Sequence, residues 1–574
     1  MKLLHLTSLA GLISTSLALW PEPKEYKLGE STLWLAKDFQ FSLEASGAKK
    51  RTTKSRSSAL PSVDEIIDAA IDRTQKEISQ TEFVPWKFHP RNVTFEPDSK
   101  GQGTTISQVV IKQGQEETFN STRDFLTKDE SYGIEISEDG EAVITSSTAI
   151  GTLRGLQTFQ QLFYAHSSGN GVYTPYAPVS ITDSPKWPHR GLNLDIARNP
   201  FRPADVKRVI DALSTAKMSR LHVHATDSQA WPLEIPSIPE LAEKGAYHPA
   251  LIWTASNLEE VQLYGLERGV SVFIEIDMPG HTASIAHAFP ELITAFNIDD
   301  WSTYALEPPS GQLKLDSPEV NDFLDQLMSD LLPRVSQYSP YFHTGGDELN
   351  LNAYNLDETV NSNKTEVIQP LVQELVTRLH NHLLDNDLTP IVWEEMLIDF
   401  NLTFPAGKEN VIIQVWQESS TLQTVLSQGY RALFGDYHHW YLDCGHGGFI
   451  NPLPGSTSVV DPYVDYCSPM KNWRHIYAYN PLADVDEELH HLIHGGEAHL
   501  WAEQSDPSNL DTMLWPRAAT AGEVMWSGPR DKDSIKDASF RLGEWRERIV
   551  VDKGITAGMV GMTMCLMDEG SCEL

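Results

Sequence analysis

A chain of 574 residues exceeds one ordinary hydrophobic core, so two domains or one heavily decorated domain are expected. Hydrophobic residues make up 40% and charged residues 21%, a globular balance rather than a disordered or fibrous one. The formal charge of −35 has no basic face to offset it, which argues against nucleic acid or an anionic membrane surface as partner.

The chain opens as an export signal. Met1-Lys2 is a short basic start, an apolar run follows from Leu3 to Leu19, and Ser16-Leu17-Ala18 is a small-residue cleavage site. Residues 1–18 are therefore expected to be removed, leaving a secreted chain. No later segment is long and apolar enough to cross a bilayer.

Residues 19–182 read as a small α+β domain. Thr104–Lys112 and Tyr132–Ser137 are strand-like. Glu138-Asp139-Gly140 turns into a second strand, Glu141–Ser146. From Thr148 the period becomes helical, with Ile150, Leu153, Leu156, Phe159 and Phe163 on one face. A basic, serine-rich stretch, Ala48 to Leu60, contains Lys49-Lys50-Arg51 and reads as a solvated loop or a dibasic processing site.

Residues 183–574 repeat another rhythm, in which short apolar runs end in polar or aromatic residues. The runs are Arg190–Ala197, Arg220–Asp227, Val270–Met278, Tyr341–Glu348, Pro390–Met396, Val411–Trp416, Arg431–Tyr437 and Gly495–Glu503. Helical patterns lie between several of them: Pro203–Lys217, Asn257–Arg268, Pro318–Val335, Val367–Leu384 and Thr421–Gln428. Eight such units predict an α/β fold, a closed (β/α)8 barrel with a C-terminal extension. An open doubly wound sheet would usually carry a glycine-rich phosphate loop after its first strand, and Asp195-Ile196-Ala197-Arg198 is not one.

Export makes the cysteines informative. Cys444 and Cys467 flank a Gly/Pro-rich loop, and Cys565 and Cys572 would close a short ring. Of the three possible pairings, this pairing of neighbours fits the loop context best. A zinc site is the alternative reading, without the close CxxC spacing such sites usually show. Asn92, Asn120, Asn363 and Asn401 begin N-x-S/T sequons, candidate glycosylation sites of a secreted chain.

Barrel enzymes work at the C-terminal ends of their strands. Carboxylates, histidines and aromatics collect at those ends here: Asp195, His224, Asp227, Asp277, His281, Asp347, Glu348, Trp393, Glu394, Trp416, Tyr441, Trp501 and Glu503. In His343-Thr344-Gly345-Gly346-Asp347-Glu348 two glycines let the backbone turn as the strand ends, so that adjacent carboxylates can enter one pocket.

That segment, HTGGDELN, resembles the signature of glycoside hydrolase family 20, the β-N-acetylhexosaminidases. The resemblance runs from LWPEPKEYKLG near residue 20 through HRGLNLDIARN, RLHVHATDSQAWPLEIP, FIEIDMPGHTASIAHAFPEL, VWEEM, IIQVWQ, LFGDYHHWYLDCG and HGGEAHLWAEQ to WPRAATAGEVMWS, and is closest to secreted fungal members. It implies a zincin-like α+β domain ahead of the barrel and an exo-acting, retaining hydrolase of terminal β-linked N-acetylhexosamines. The nucleophile would be the substrate's own acetamido oxygen, giving an oxazolinium intermediate. Glu348 would be the acid and base, Asp347 would orient the acetamido N–H, and Tyr441 would donate to the acetamido oxygen. By the same carry-over Arg190 would hold the C3 and C4 hydroxyls, and Asp443 and Glu503 those near C4 and C6. Trp393, Trp416 and Trp501 would wall the pocket. Asp277 with His281 would tune the acidic pair, and His224 with Asp227 would support that wall. The resemblance implies no cofactor, no metal, a chitin-oligomer or glycoconjugate substrate, and a homodimer.

Two rivals come from other chemistry. His222-x-His224 places two imidazoles on one strand face, as metal-dependent barrel hydrolases sometimes do. A carbohydrate-binding protein on a hydrolase scaffold could also keep the aromatics, although it would not need Asp347, Glu348 and Tyr441. A chitinase-like enzyme would be expected to show a DxxDxDxE run, where this strand reads YFHTGGDE.

Overall fold

A computed structural model describes residues 18–46, 60–98, 103–115, 122–451, 464–568 and 572. Most of the export segment, the Lys49-Lys50-Arg51 stretch and Asn120 lie outside the described residues. Asn92, Asn363 and Asn401 are exposed in loops. Among the described residues no helix is long and apolar enough to cross a membrane.

The N-terminal part is a six-stranded mixed sheet in the order Glu25–Ser46, Thr105–Gln115, Ala142–Ser146, Tyr132–Ile136, Val172–Asp183, Tyr164–Ala165. The hairpin around Asp139-Gly140 forms as expected, with Ile134 opposite Ile144. Unread in the sequence were the 22-residue strand Glu25–Ser46, the helix Val63–Ser79, the short strand Tyr164–Ala165 and the strand Val172–Asp183. The first strand changes partner midway. Its first half runs antiparallel to Val172–Asp183 and its second half parallel to Thr105–Gln115, so no single alternation of faces runs along it. The helix Ala149–Phe159 is capped by the Thr148 hydroxyl and buried along its whole length.

The barrel closes as expected, from eight parallel strands here labelled β1 (His189–Asp195), β2 (Arg220–His224), β3 (Ser271–Glu275), β4 (Tyr341–His343), β5 (Thr389–Trp393), β6 (Ile412–Gln414), β7 (Arg431–Phe434) and β8 (Ile493–Leu500). Strand alternation divides each one between two environments. Leu192, Leu194, Leu221, Val223, Val272, Ile274, Val392 and Ile413 join the large core shared with the surrounding helices. The intervening residues fill the lumen. Phe273, Tyr341, Ile391, Ile412 and Leu433 form an apolar plug there, and His222, His224, Glu275, His343, Gln414 and Glu497 make a polar tier. Gly191 leaves room for that tier, since a Cβ there would lie 2.5 Å from the Glu497 side chain.

Two buried ionic knots join the sheet to the N-terminal end of the barrel. Glu130 takes the guanidinium of Arg154 at 2.6 Å and that of Arg190 at 2.6 and 2.9 Å. Asp183 accepts from Lys217 at 2.8 Å and from Tyr132 at 2.5 Å. Burial alone would raise the Glu130 carboxyl, but Arg190 and Arg154 outweigh it and hold it at about 2. The helices Arg517–Ser527 and Ile535–Lys553 complete the join, with Arg548 donating to the carbonyls of Gln161 and Phe163. Removing the Glu130 carboxylate strands two buried guanidinium groups. Glu130→Ala is expected to cost about 3–5 kcal/mol in denaturant unfolding.

Candidate active site

The carboxylate pair sits where β4 ends. Gly345 and Gly346 have φ of 68° and 110°, conformations open to glycine. Gly345 also makes room for Asp277, because a Cβ there would fall 1.8 Å from the Asp277 Oδ1. Glu348 itself has φ of 53°, a left-handed conformation that costs energy for a side chain of its size. The turn sinks Asp347 and leaves Glu348 half-buried at the rim.

Asp347, Asp277 and His281 place a polar atom each within 4.8 Å of one another. Burial, reinforced by the neighbouring Asp277 charge, pushes the Asp347 carboxyl well above its usual range. Burial likewise lifts Asp277 to about 6. His281 Nε2 lies 3.5 Å from Glu348, 3.8 Å from Asp347 and 3.9 Å from Asp277, and its Nδ1 is 3.0 Å from Asp227. Burial would lower His281, but Asp227, Asp277 and Asp347 outweigh it and raise it well above the usual imidazole value. The Asp347 Oδ1, Asp277 Oδ2 and His281 Nε2 are buried without a hydrogen bond from the protein, as atoms awaiting a ligand would be.

Opposite the carboxylates stands an aromatic cage. Trp393, Tyr441 and Trp501 cluster with Trp416, Tyr437 and the disulfide Cys444–Cys467. Tyr441 stacks on Trp416 at 6.2 Å and 15°, and its burial raises the phenol well above its usual value, so that it stays a donor. Trp393 donates Nε1–H to Glu275 at 2.7 Å and Trp416 donates to Glu395 at 3.0 Å. Burial and the Asp347 charge lift Glu395 to about 8. Asp443 accepts the Trp501 N–H at 3.3 Å, and burial raises it to about 7. Glu503 is partly buried nearby, 3.6 Å from Arg198.

The first-strand arginine needs correction. Arg190, expected to hold sugar hydroxyls, is the second residue of β1 and lies fully buried at the N-terminal end of the barrel, on Glu130 and the Trp187 carbonyl. A side chain at the start of a strand cannot reach a pocket at its end. Arg198, three residues beyond β1, occupies the pocket instead. It pairs with Asp227 at 3.1 Å, Asp195 at 3.2 Å and Glu307 at 2.5 Å, with its guanidinium over the Trp501 ring at 4.9 Å. The ARN in HRGLNLDIARN already carried this residue at the correct end of the strand. Glu307 and Tyr466 were also missed. Glu307 comes from the long excursion between β3 and β4, and Tyr466 stands exposed beside Tyr437 at the mouth, and neither ends a barrel strand.

His222 and His224 both face carboxylates, and with Glu275 and His343, or with Glu275 and Asp277, each forms a group whose ligand atoms lie within 4.8 Å of one another. His222 has Glu497 at 3.0 Å and Glu275 at 3.1 Å on its two nitrogens, and these carboxylates overcome burial to lift it to about 9. The two disulfides pair as neighbours, Cys444–Cys467 and Cys565–Cys572.

Comparison with known proteins agrees with this geometry. Residues 187–529 match the model for the catalytic domain of glycosyl hydrolase family 20, and residues 19–162 match a beta-acetyl hexosaminidase like domain. The chain belongs to glycosyl hydrolase family 20. It is 51% identical to a beta-hexosaminidase of Arthroderma benhamiae, over 98% of both chains. It is 31% identical to a chitooligosaccharidolytic beta-N-acetylglucosaminidase of Ostrinia furnacalis, covering 96% of this chain and 89% of that one. Among solved structures, the family 20 exo-beta-N-acetylglucosaminidase of Vibrio harveyi in complex with N-acetylglucosamine shares the fold, with a TM-score of 0.70 at 19% identity, covering 95% of this chain and 79% of that one. The Streptomyces plicatus N-acetyl-beta-hexosaminidase does so at 0.65 and 20%, covering 95% and 97%. The protein is thus a glycosidase of the beta-hexosaminidase type.

The cage depends on its staple. Opening Cys444–Cys467, whose residues are 23 apart in sequence, removes a covalent link packed against Trp393, Tyr441 and Trp501. Replacing both cysteines by serine is expected to cost about 3 kcal/mol in thermal unfolding and to raise KM more than it lowers kcat.

Proposed function

We propose that the enzyme removes terminal, non-reducing β-linked N-acetylglucosamine or N-acetylgalactosamine from chitin oligomers or glycoconjugates, one sugar per cleavage and with retention of configuration. The observation that carries this reading is the placement of Asp347 and Glu348. A retaining pair normally flanks the anomeric carbon with its carboxyl groups about 5 Å apart on opposite sides. Adjacent residues on one turn, one sunk and one at the rim, are poorly placed for that, so the nucleophile is sought in the substrate.

In this reading the 2-acetamido oxygen attacks the anomeric carbon and forms an oxazolinium ion. Glu348 protonates the departing oxygen and then takes a proton from the water that opens the ring. Asp347 accepts the acetamido N–H and balances the positive charge that develops there. Tyr441 donates to the acetamido oxygen, while Trp393, Trp416 and Trp501 enclose the methyl and the sugar face. Arg198, in the place expected of Arg190, offers its fork to the C3 and C4 hydroxyls, and Asp443 and Glu503 take those near C4 and C6. The domain limits at residues 18 and 182, secretion of the mature chain, glycosylation at the sequons and a homodimer belong to the same reading. Disulfides fit an oxidising compartment.

Purified enzyme is expected to hydrolyse aryl β-N-acetylglucosaminide and β-N-acetylgalactosaminide and to leave the plain β-glucoside nearly untouched. Glu348→Gln should lower kcat/KM on an unactivated N-acetylglucosaminide by about 10²–10⁴-fold. Rapid glucoside turnover would refute the acetamido nucleophile. In pH profiles Asp347 must be ionised and the Asp277 charge resists that ionisation, so Asp277→Asn should move the acidic limb of kcat/KM to lower pH.

A further inference from the structure

The polar tier inside the barrel continues into the acid's surroundings. His224 lies between two carboxylates, with Nδ1 2.5 Å from Glu275 Oε2 and Nε2 2.7 Å from Asp227 Oδ2. All three residues are fully buried. An ionised carboxylate accepts hydrogen bonds and cannot donate them. Two such contacts on one imidazole therefore need a proton on each nitrogen, which makes His224 an imidazolium. Asp227, an anion that also has the Arg198 guanidinium 3.1 Å away, accepts at both oxygens, from His224 at one and from His281 Nδ1 at the other. His281 thereby donates through Nδ1, which orients its ring so that Nε2 faces Glu348. Glu275 faces His222 and His224 on β2, His343 at 3.0 Å on β4, and the Trp393 indole N–H at 2.7 Å on β5.

We infer that Glu275, which is fully buried below the strand ends, is a positioning residue. Through His224, Asp227 and His281 it orients the imidazole that faces Glu348, and through Trp393 it fixes one wall of the acetamido pocket. Nothing in the side chain's surroundings requires a carboxylate for packing alone. An amide of the same shape could still accept from Trp393, but could not hold His224 as a cation. The charge of Glu275 and its shape are therefore separable by experiment. Burial would raise the Glu275 carboxyl, and its three imidazole neighbours hold it well below the usual range instead, in keeping with an ionised group.

This inference rests on the reading of Glu348 as the acid. A leaving group that departs without a proton bypasses general acid catalysis, and a poor one depends on it. The test compares kcat/KM on an alkyl β-N-acetylglucosaminide and on the 2,4-dinitrophenyl glycoside for wild type, Glu275→Gln, Trp393→Phe and Glu348→Gln. Glu275→Gln is expected to lose about 10²-fold on the alkyl substrate and less than about 3-fold on the dinitrophenyl one, by analogy with misplacing a relay proton. Trp393→Phe should lose similar factors on both. Equal losses on the two substrates for Glu275→Gln, or no loss on either, would overturn the positioning role. A Glu348→Gln variant without leaving-group dependence would instead overturn the acid assignment beneath it. Should Glu275→Gln fail to fold, His224→Gln cuts the same relay one residue nearer Asp227, and its expected and refuting outcomes are the same.

Discussion

Charge buried inside the barrel is the constraint on which the rest of the structure depends. A (β/α)8 lumen is usually packed with branched aliphatic side chains. Here its upper half holds Glu497, His222, Glu275 and His224 in alternation, all without solvent contact. A buried charge must be paired and hydrogen-bonded or it neutralises. Each group therefore fixes its neighbour's ring orientation and proton, and the chain of contacts ends at His281 beneath Glu348. Gly191 keeps its place because any side chain there would strike Glu497.

The two ends of the barrel use charge for different purposes. At the N-terminal end, Arg190 and Arg154 share Glu130, while Lys217 pairs with Asp183, and these pairs bind the N-terminal sheet to the barrel. At the C-terminal end Arg198 meets Asp195, Asp227, Glu307 and Glu503, an excess of acid over base that pushes Glu503 and Glu307 upward. Burial is the larger part of that upward push. A neutral sugar with several hydroxyls suits such a place better than an anion does, since it can donate to the carboxylates while accepting from the guanidinium. Hydrophobic contact supplies the other half of the pocket, where Trp416, Tyr441 and Trp501 pack in one cluster with the Cys444–Cys467 disulfide.

Alternation explains why so much of the barrel was readable. The strands turn apolar residues outward, such as Val272 and Ile274 of β3 or Phe342 of β4, while neighbours such as Phe273 and Glu275 point inward. Polar residues at strand ends were correctly attributed to an active face because that face is common to all such barrels. The strand Glu25–Ser46 was not readable, since it serves two partners with opposite directions. The helix Ile535–Lys553 was missed for a related reason: its buried face is made partly of Arg541, Glu544, Glu547 and Arg548, which pair with one another and with other parts of the chain instead of forming an apolar stripe.

By itself the sequence determined the eight-unit barrel, the acidic pair at the end of β4, the aromatic strand ends and the family, because these depend on local periodicity and on residues adjacent in the chain. Tertiary structure showed which of two arginines faces the pocket, a choice that the position of Arg198 after the first run had left open to reading. Arg190 and Arg198 are eight residues apart on one strand and its exit loop, and a strand's two ends open onto opposite sides of the barrel. It also decided that Glu307, Asp227 and Glu275 converge on groups far away in sequence. Such contacts follow from barrel closure, which brings β2, β3, β4 and β5 side by side, and no local pattern records them.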